Sequence, residues 1–254
     1  MAFRCLKFMS ILAVGLLPAV AADDFSIADN TTVQKREITL TPVMNGLNFP
    51  DPSVIRIGNE WWAFSTMSHY NGKRVHVPMA HTYDYFTWTN NTRWVVYKID
   101  GNAIGEGGSC NNMVKPIVST PIMLQQVSTN DGFTKIGLPT PLIVNDPADG
   151  PYVEAPSLTK MPDGTYVLYY SSNCFVTPLY DVSYATSRDI RGPYKKFGGL
   201  IRTGTYGLVA PGGLDMAING DHAVFHANWK GGRAMFTALI RGQGNQSQVY
   251  VKGS

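Results

Sequence analysis

The sequence predicts an all-β protein built as a β-propeller, and three observations carry that expectation. One strand–turn–strand unit recurs. Phe49-Pro50-Asp51-Pro52-Ser53-Val54-Ile55 precedes Glu60–Ser65, Val153-Glu154-Ala155-Pro156-Ser157-Leu158 precedes Thr165–Ser171, and Ala210-Pro211-Gly212-Gly213-Leu214 precedes His222–His226. The periodicity is that of strands throughout, with no amphipathic helical stretch of ~10 residues. Turn dipeptides such as Asn71-Gly72, Asp131-Gly132, Asp149-Gly150 and Asn219-Gly220 punctuate the strands, because Gly and Asn adopt positive φ at little cost. Units of this kind build sheets repeated around an axis.

The predicted strands, in order, are Ser53–Ile57, Glu60–Thr66, Val75–Thr82, Arg93–Ile99, Ile122–Val127, Ser157–Lys160, Thr165–Ser171, Val182–Ser187, Ala223–Asn228 and Ala234–Ile240. Each is short and rich in aromatic or β-branched residues. Glu154 and Ala210 stand 56 positions apart, one repeat, and Asp51 and Glu154 stand 103 apart, close to two. That spacing leaves room for about four blades. The Arg93–Ile99 strand follows Thr87–Asn91 almost directly, so it reads as the second half of a repeat whose opening strand is missing.

Composition sets the class. The chain has 254 residues, 44% hydrophobic and 15% charged, which suits a single domain with a sizeable core. Residues 1–21 are expected to be a signal peptide: Arg4 and Lys7 precede an apolar run from Phe8 to Leu17, and Ala19-Val20-Ala21 supplies small residues for cleavage. The domain is then 22–254, extracellular, and without a membrane span. Losing Arg4 and Lys7 lowers the formal charge from +3 to +1, which leaves no electrostatic case for nucleic acid. Export also leaves two cysteines, Cys110 and Cys174, and an oxidising compartment favours a disulfide between them, with free thiols the alternative. Sequons at Asn30, Asn90 and Asn245 fit a glycosylated surface.

The motifs carry a family resemblance. Phe49-Pro50-Asp51-Pro52-Ser53, Val153-Glu154-Ala155-Pro156-Ser157-Leu158, Tyr169-Tyr170-Ser171-Ser172-Asn173 and Val224-Phe225-His226-Ala227 resemble glycoside hydrolase family 43, in particular its secreted fungal members. Val96–Asn102 and Thr120–Gln125 are similar to the same group. The resemblance implies a five-bladed propeller that hydrolyses arabinofuranosyl or xylosyl linkages of plant cell-wall polysaccharide with inversion. It implies Asp51 as general base and Glu154 as general acid. The family's third carboxylate, an Asp that tunes the acid, has no match in this chain. It would open the half-repeat missing near Asn90–Arg93, so the chain is expected to lack about one blade and to fold less stably than a full-length relative.

Inverting hydrolysis needs one protonated carboxyl to protonate the leaving oxygen and one carboxylate to activate water, about 6.5–9.5 Å apart. Glu154 must therefore hold its proton, through burial or a neighbouring negative charge. With the third Asp absent, that charge must come from Asp51 itself or from Asp100, Asp146 or Asp149. Taken alone, Asp51 reads as a turn cap before a strand; the repeated setting and the resemblance together make both acids site residues.

Phe49, Trp62 and Tyr152 are candidate substrate-binding aromatics, since aromatic faces stack on sugar rings. Trp61 and Trp62 point opposite ways along a strand, so at most one faces the cavity. His226, on an apolar strand, reads as a core histidine. The resemblance places it on the cavity instead, where such a histidine helps bind water or calcium. No cofactor is otherwise expected, and calcium would need six or more oxygen ligands. Gly105-Glu106-Gly107-Gly108 lacks the strand–helix setting of a nucleotide loop. The expected partner is a carbohydrate, and the expected state is a monomer. A glycan-binding propeller without catalysis, or a shortened inactive variant, is the alternative, and a ligand-free structural protein is a third reading.

Overall fold

Strand formation is governed here by alternation in some strands and by burial on both faces in others. The computed structural model describes residues 40–70, 73–75, 77–90, 121–131, 134–218, 220–243 and 246–250, all within the compact unit Glu37–Ser254. Apart from two short 3-10 turns, the regular structure of the described residues is strand: β1 (Ser53–Ile57), β2 (Glu60–Phe64), β3 (Ser68–Tyr70), β4 (Lys73–Val75), β5 (Met79–Thr82), β6 (Thr89–Asn90), β7 (Ile122–Val127), β8 (Lys135–Ile143), β9 (Val153–Lys160), β10 (Tyr166–Ser172), β11 (Asp181–Ser187), β12 (Lys195–Ile201), β13 (Gly212–Met216), β14 (His222–Trp229), β15 (Gly232–Gln243) and β16 (Gln246–Tyr250).

Three antiparallel four-stranded sheets, β1-β2-β5-β6, β9-β10-β11-β12 and β13-β14-β15-β16, are propeller blades, each a meander of neighbouring strands. The hairpin β3-β4 is inserted in the first, and β7-β8 forms a separate two-stranded sheet. The predicted strand Arg93–Ile99 and the expected missing half-repeat lie outside the described residues, as do the predicted signal peptide, Asp100 and Cys110.

The cores lie between neighbouring sheets. Val167, Tyr169, Val182, Leu214, Phe225 and Phe236 join β9–β12 to β13–β16. Phe49, Val54, Trp61, Ala80, Val224 and Met235 join β13–β16 to the first blade. Ile122, Ile143, Val153, Leu168 and Tyr170 seat β7-β8 on β9–β12. A central blade covered on both faces explains why every residue of β11 is buried. The innermost strand β13 meets both β9 and β1, and that junction positions the site.

The structure has strands that the sequence reading lacked. β8 carries Pro139 and Pro141 in a mostly exposed strand, a place where a missing N–H donor is tolerated. β12 and β13 carry paired glycines, which lower strand propensity. The predicted Val75–Thr82 strand is interrupted before β5, with Pro78 directly preceding Met79.

Candidate active site

The repeated unit is a repeated backbone bend. Asp51, Ala155 and Ala210, each directly before a proline, have φ of 48°, 49° and 48°. A left-handed conformation is unfavourable for residues with a Cβ, so the recurrence reflects a turn that the packed strands impose. This corrects one part of the sequence reading. Asp51 and Glu154 do not occupy equivalent positions: Asp51 matches Ala155, and Glu154 stands one residue earlier, where the first repeat has Pro50.

Asp51 is held from three sides. Its N–H donates to His226 Nδ1 at 3.1 Å, Thr66 Oγ1 donates to its Oδ2 at 2.9 Å, and Arg233 Nη1 donates to its Oδ1 at 3.2 Å. Glu154 is half-buried on β9, opposite Ser171 of β10, and accepts a hydrogen bond from the Tyr180 hydroxyl at 2.8 Å. Burial raises the Glu154 pKa above the usual carboxylate value; the Asp51 charge adds to the rise, while the Tyr180 hydrogen bond and Arg233 oppose it. Tyr180 is buried and feels both carboxylates, which together with burial keep it a neutral phenol.

His226 lies beneath the pair, fully buried, its ring stacked on Tyr180 with centroids 5.9 Å apart. Burial lowers its pKa to about 4; Asp51 opposes the shift and Arg233 adds to it. Nδ1 lies 3.4 Å from Asp51 Oδ1, but an N–H can only donate. Nδ1 therefore accepts the Asp51 N–H, and the neutral ring carries its proton on Nε2. The contact with the Asp51 carboxylate is not an ion pair near neutral pH. Nε2 is buried without a protein hydrogen-bond partner.

Among the described residues no three His, Cys, Asp or Glu side chains gather as a ligand set.

Glycines 212 and 213 let β13 approach the site closely. A Cβ on Gly212 would fall 1.9 Å from the Tyr180 ring, and one on Gly213 would fall 2.8 Å from His226 Nδ1. Arg233, which binds Asp51, also lines a cavity of about 500 Å3 together with Asn48, Phe175, Val176 and Asn228 among others. The Arg233 guanidinium sits 5.7 Å from the centre of the Phe175 ring, a cation–π contact that fixes it between the cavity and Asp51.

The other expected site residues divide. Tyr152 is half-buried and lies close enough to Glu154 for that charge to raise its pKa, second to burial. Phe49 does not line the cavity: it is fully buried among Val54, Trp61, Ala63 and Met235. Trp62 faces away from the site. It pairs across from exposed Ile55, stacks on His81 at 5.1 Å and donates to Glu60 at 3.0 Å. Trp61, pointing the other way, packs on Tyr85 and His222. Asp146 and Asp149 are bound by Lys196, and the charges acting on Glu154 are Asp51 and Arg233 instead. Cys174 is disulfide-bonded.

Tyr180 and Arg233 were not anticipated. A tyrosine in a loop and an arginine after a glycine turn carry no motif. The Gly212-Gly213 pair was the available signal, since adjacent glycines in a strand mark a close approach by another group.

Comparison with known proteins supports the architecture. No protein-family model matches the chain. It is similar to an extracellular endo-α-(1→5)-L-arabinanase of Thermotoga petrophila, 25% identical over 154 residues, which cover 61% of this chain and 24% of the relative. The chain thus spans about a quarter of the length of that curated relative. Among solved structures, it resembles a xylan β-1,4-xylosidase from Bacillus halodurans at a TM-score of 0.61 and 15% identity, covering 83% of this chain and 56% of that one. It also resembles a family 43 endo-arabinanase from Bacillus licheniformis at 0.51 and 19%, covering 82% and 100%. The fold is that of the family 43 propellers.

Proposed function

We propose that this chain is a secreted glycoside hydrolase that cleaves arabinofuranosyl or xylosyl linkages of plant polysaccharide with inversion. Asp51 serves as general base and Glu154 as general acid. The observation that carries this reading is the opposite treatment of two neighbouring carboxyls. Arg233 and Thr66 bind the Asp51 carboxylate, whereas burial and the Asp51 charge favour the proton on Glu154. Groups whose surroundings separate them in this way are suited to an acid and a base. Asp51 itself thereby supplies part of the tuning that the family assigns to a third carboxylate.

In the proposed reaction Glu154 gives its proton to the glycosidic oxygen as the bond to the anomeric carbon breaks. Asp51 takes a proton from the water that attacks the opposite face. Tyr180 orients Glu154, and the cavity beside Arg233 receives the sugar. Support for a carbohydrate substrate comes from the similarity to an endo-arabinanase, and support for secretion from residues 1–21 and the extracellular relative.

The test is sugar release from arabinan, arabinoxylan and aryl glycosides, beside a Glu154→Gln control. Release by the wild type that the control abolishes is the expected result. Soluble, folded protein that releases nothing but retains oligosaccharide would replace the reading with glycan binding.

A further inference from the structure

We propose that Asp215, on β13, is a positioning residue that sets the separation between Asp51 and Glu154. The proposal rests on the hydrolase reading for its catalytic consequence, although its structural arm can be measured without turnover.

The Asp215 carboxylate binds two other blades at once. Oδ2 accepts the Ser53 hydroxyl at 3.0 Å and the Val54 N–H at 2.8 Å, both from β1. Oδ1 accepts the Ser157 hydroxyl at 2.9 Å, from β9. Ser157 is itself buried, and its Oγ accepts the Met216 N–H at 3.0 Å, so the same link is made twice. Ser53 follows Asp51 by two residues and Ser157 follows Glu154 by three. The two serines occupy the same place in the repeated unit, directly after the proline. In the third repeat that place is Gly212, and the third blade contributes the carboxylate that both serines reach.

Hydrogen bonds to a carboxylate are short and comparatively strong, and these three fix the openings of β1 and β9 relative to one strand. An inverting pair tolerates only a limited range of separations, and a displacement of about 1 Å can lower turnover by about 100-fold. The groups that act on the Glu154 carboxyl are Tyr180, Asp51 and Arg233; Asp215 is not among them. Neutralising Asp215 therefore reaches Glu154 through the position of the strands.

The experiment titrates the Glu154 side-chain carboxyl by carbon NMR in the wild type, Asp215→Asn, Ser157→Ala and Asp215→Glu, with circular dichroism to confirm folding. Sugar release is measured on the same samples. When the clamp opens, the Asp51 charge recedes and Glu154 gains solvent, so its pKa falls in Asp215→Asn and Ser157→Ala. Ser157→Ala removes no charge, and therefore excludes a direct charge effect. Turnover falls roughly 10- to 100-fold with KM little changed, and Asp215→Glu restores part of both. Folded Asp215→Asn and Ser157→Ala proteins with the wild-type Glu154 titration would overturn the proposal. If Asp215→Asn does not fold, Ser157→Ala decides alone. A wild type that releases no sugar would defeat the hydrolase reading, while the titration would still decide this one.

Discussion

Tyr180 donates its hydroxyl to Glu154 at 2.8 Å while its ring lies 5.9 Å from that of buried His226. One side chain thus connects the proposed acid to the floor of the site. The hydrogen bond favours ionised Glu154 and opposes the rise that burial produces. Removing it in Tyr180→Phe lets the Glu154 pKa rise further. A general acid loses activity as pH climbs through its pKa, so the alkaline limb of the kcat profile moves to higher pH. Turnover falls by roughly 10-fold as the acid loses its orienting partner. A pH–rate profile checks both.

Asp51→Asn removes the proposed base and one contributor to the Glu154 shift. The expected loss in kcat is roughly 100- to 10,000-fold, and the Glu154 pKa falls. Kinetics on an aryl glycoside and a carboxyl titration separate the two effects. An unchanged titration would show that Asp51 does not tune the acid.

Arg233→Met acts in the opposite sense on Glu154. The guanidinium favours the ionised acid, so its removal raises the Glu154 pKa and shifts the alkaline limb upward. The Asp51 carboxylate also loses its 3.2 Å partner, and kcat/KM falls. A profile shifted downward would reject this arrangement of charges.

His226 predicts a stability effect. Its pKa is about 4 in the fold against 6.5 for an ordinary histidine, so between those values the unfolded chain binds more protons. The contribution is fully present above about pH 6.5 and is lost as pH falls toward about 4, on the order of 3 kcal/mol in all. Urea unfolding of wild type and His226→Gln across that range measures it. The wild type should show the steeper loss.

Backbone strain gives a further pair of outcomes. Ala155 has φ 49°, so Ala155→Gly relieves an unfavourable conformation and stabilises by roughly 0.5–1 kcal/mol after the larger unfolded-state entropy of glycine is counted. Gly213→Ala does the reverse, because its Cβ would press on the His226 ring. A loss of roughly 1–3 kcal/mol is expected. Denaturant midpoints of the two variants should move in opposite directions.

The sequence revealed most where one residue acts within a repeated pattern. β1 and β7 have the bounds that alternation predicted, and the prolines at 52, 156 and 211 mark the one bend that the three repeated units share. It revealed less where partners are distant along the chain. Asp51 and Arg233 are 182 residues apart, and Ser53 and Asp215 are 162 apart; no local period encodes such pairs. Phe49 and Trp62 show the limit for aromatics. Adjacency to a site residue in sequence does not decide which face of a twisted strand turns toward the axis.

The bend that recurs at Asp51, Ala155 and Ala210 separates scaffold from chemistry. Because the same backbone form holds an acid in one blade and a methyl group in two others, it does not depend on the side chain it presents. The inner rim is therefore a set of interchangeable mounts, of which one bears a carboxylate. Rearranging functional groups around this axis requires no new turn, only a different residue on one that already exists.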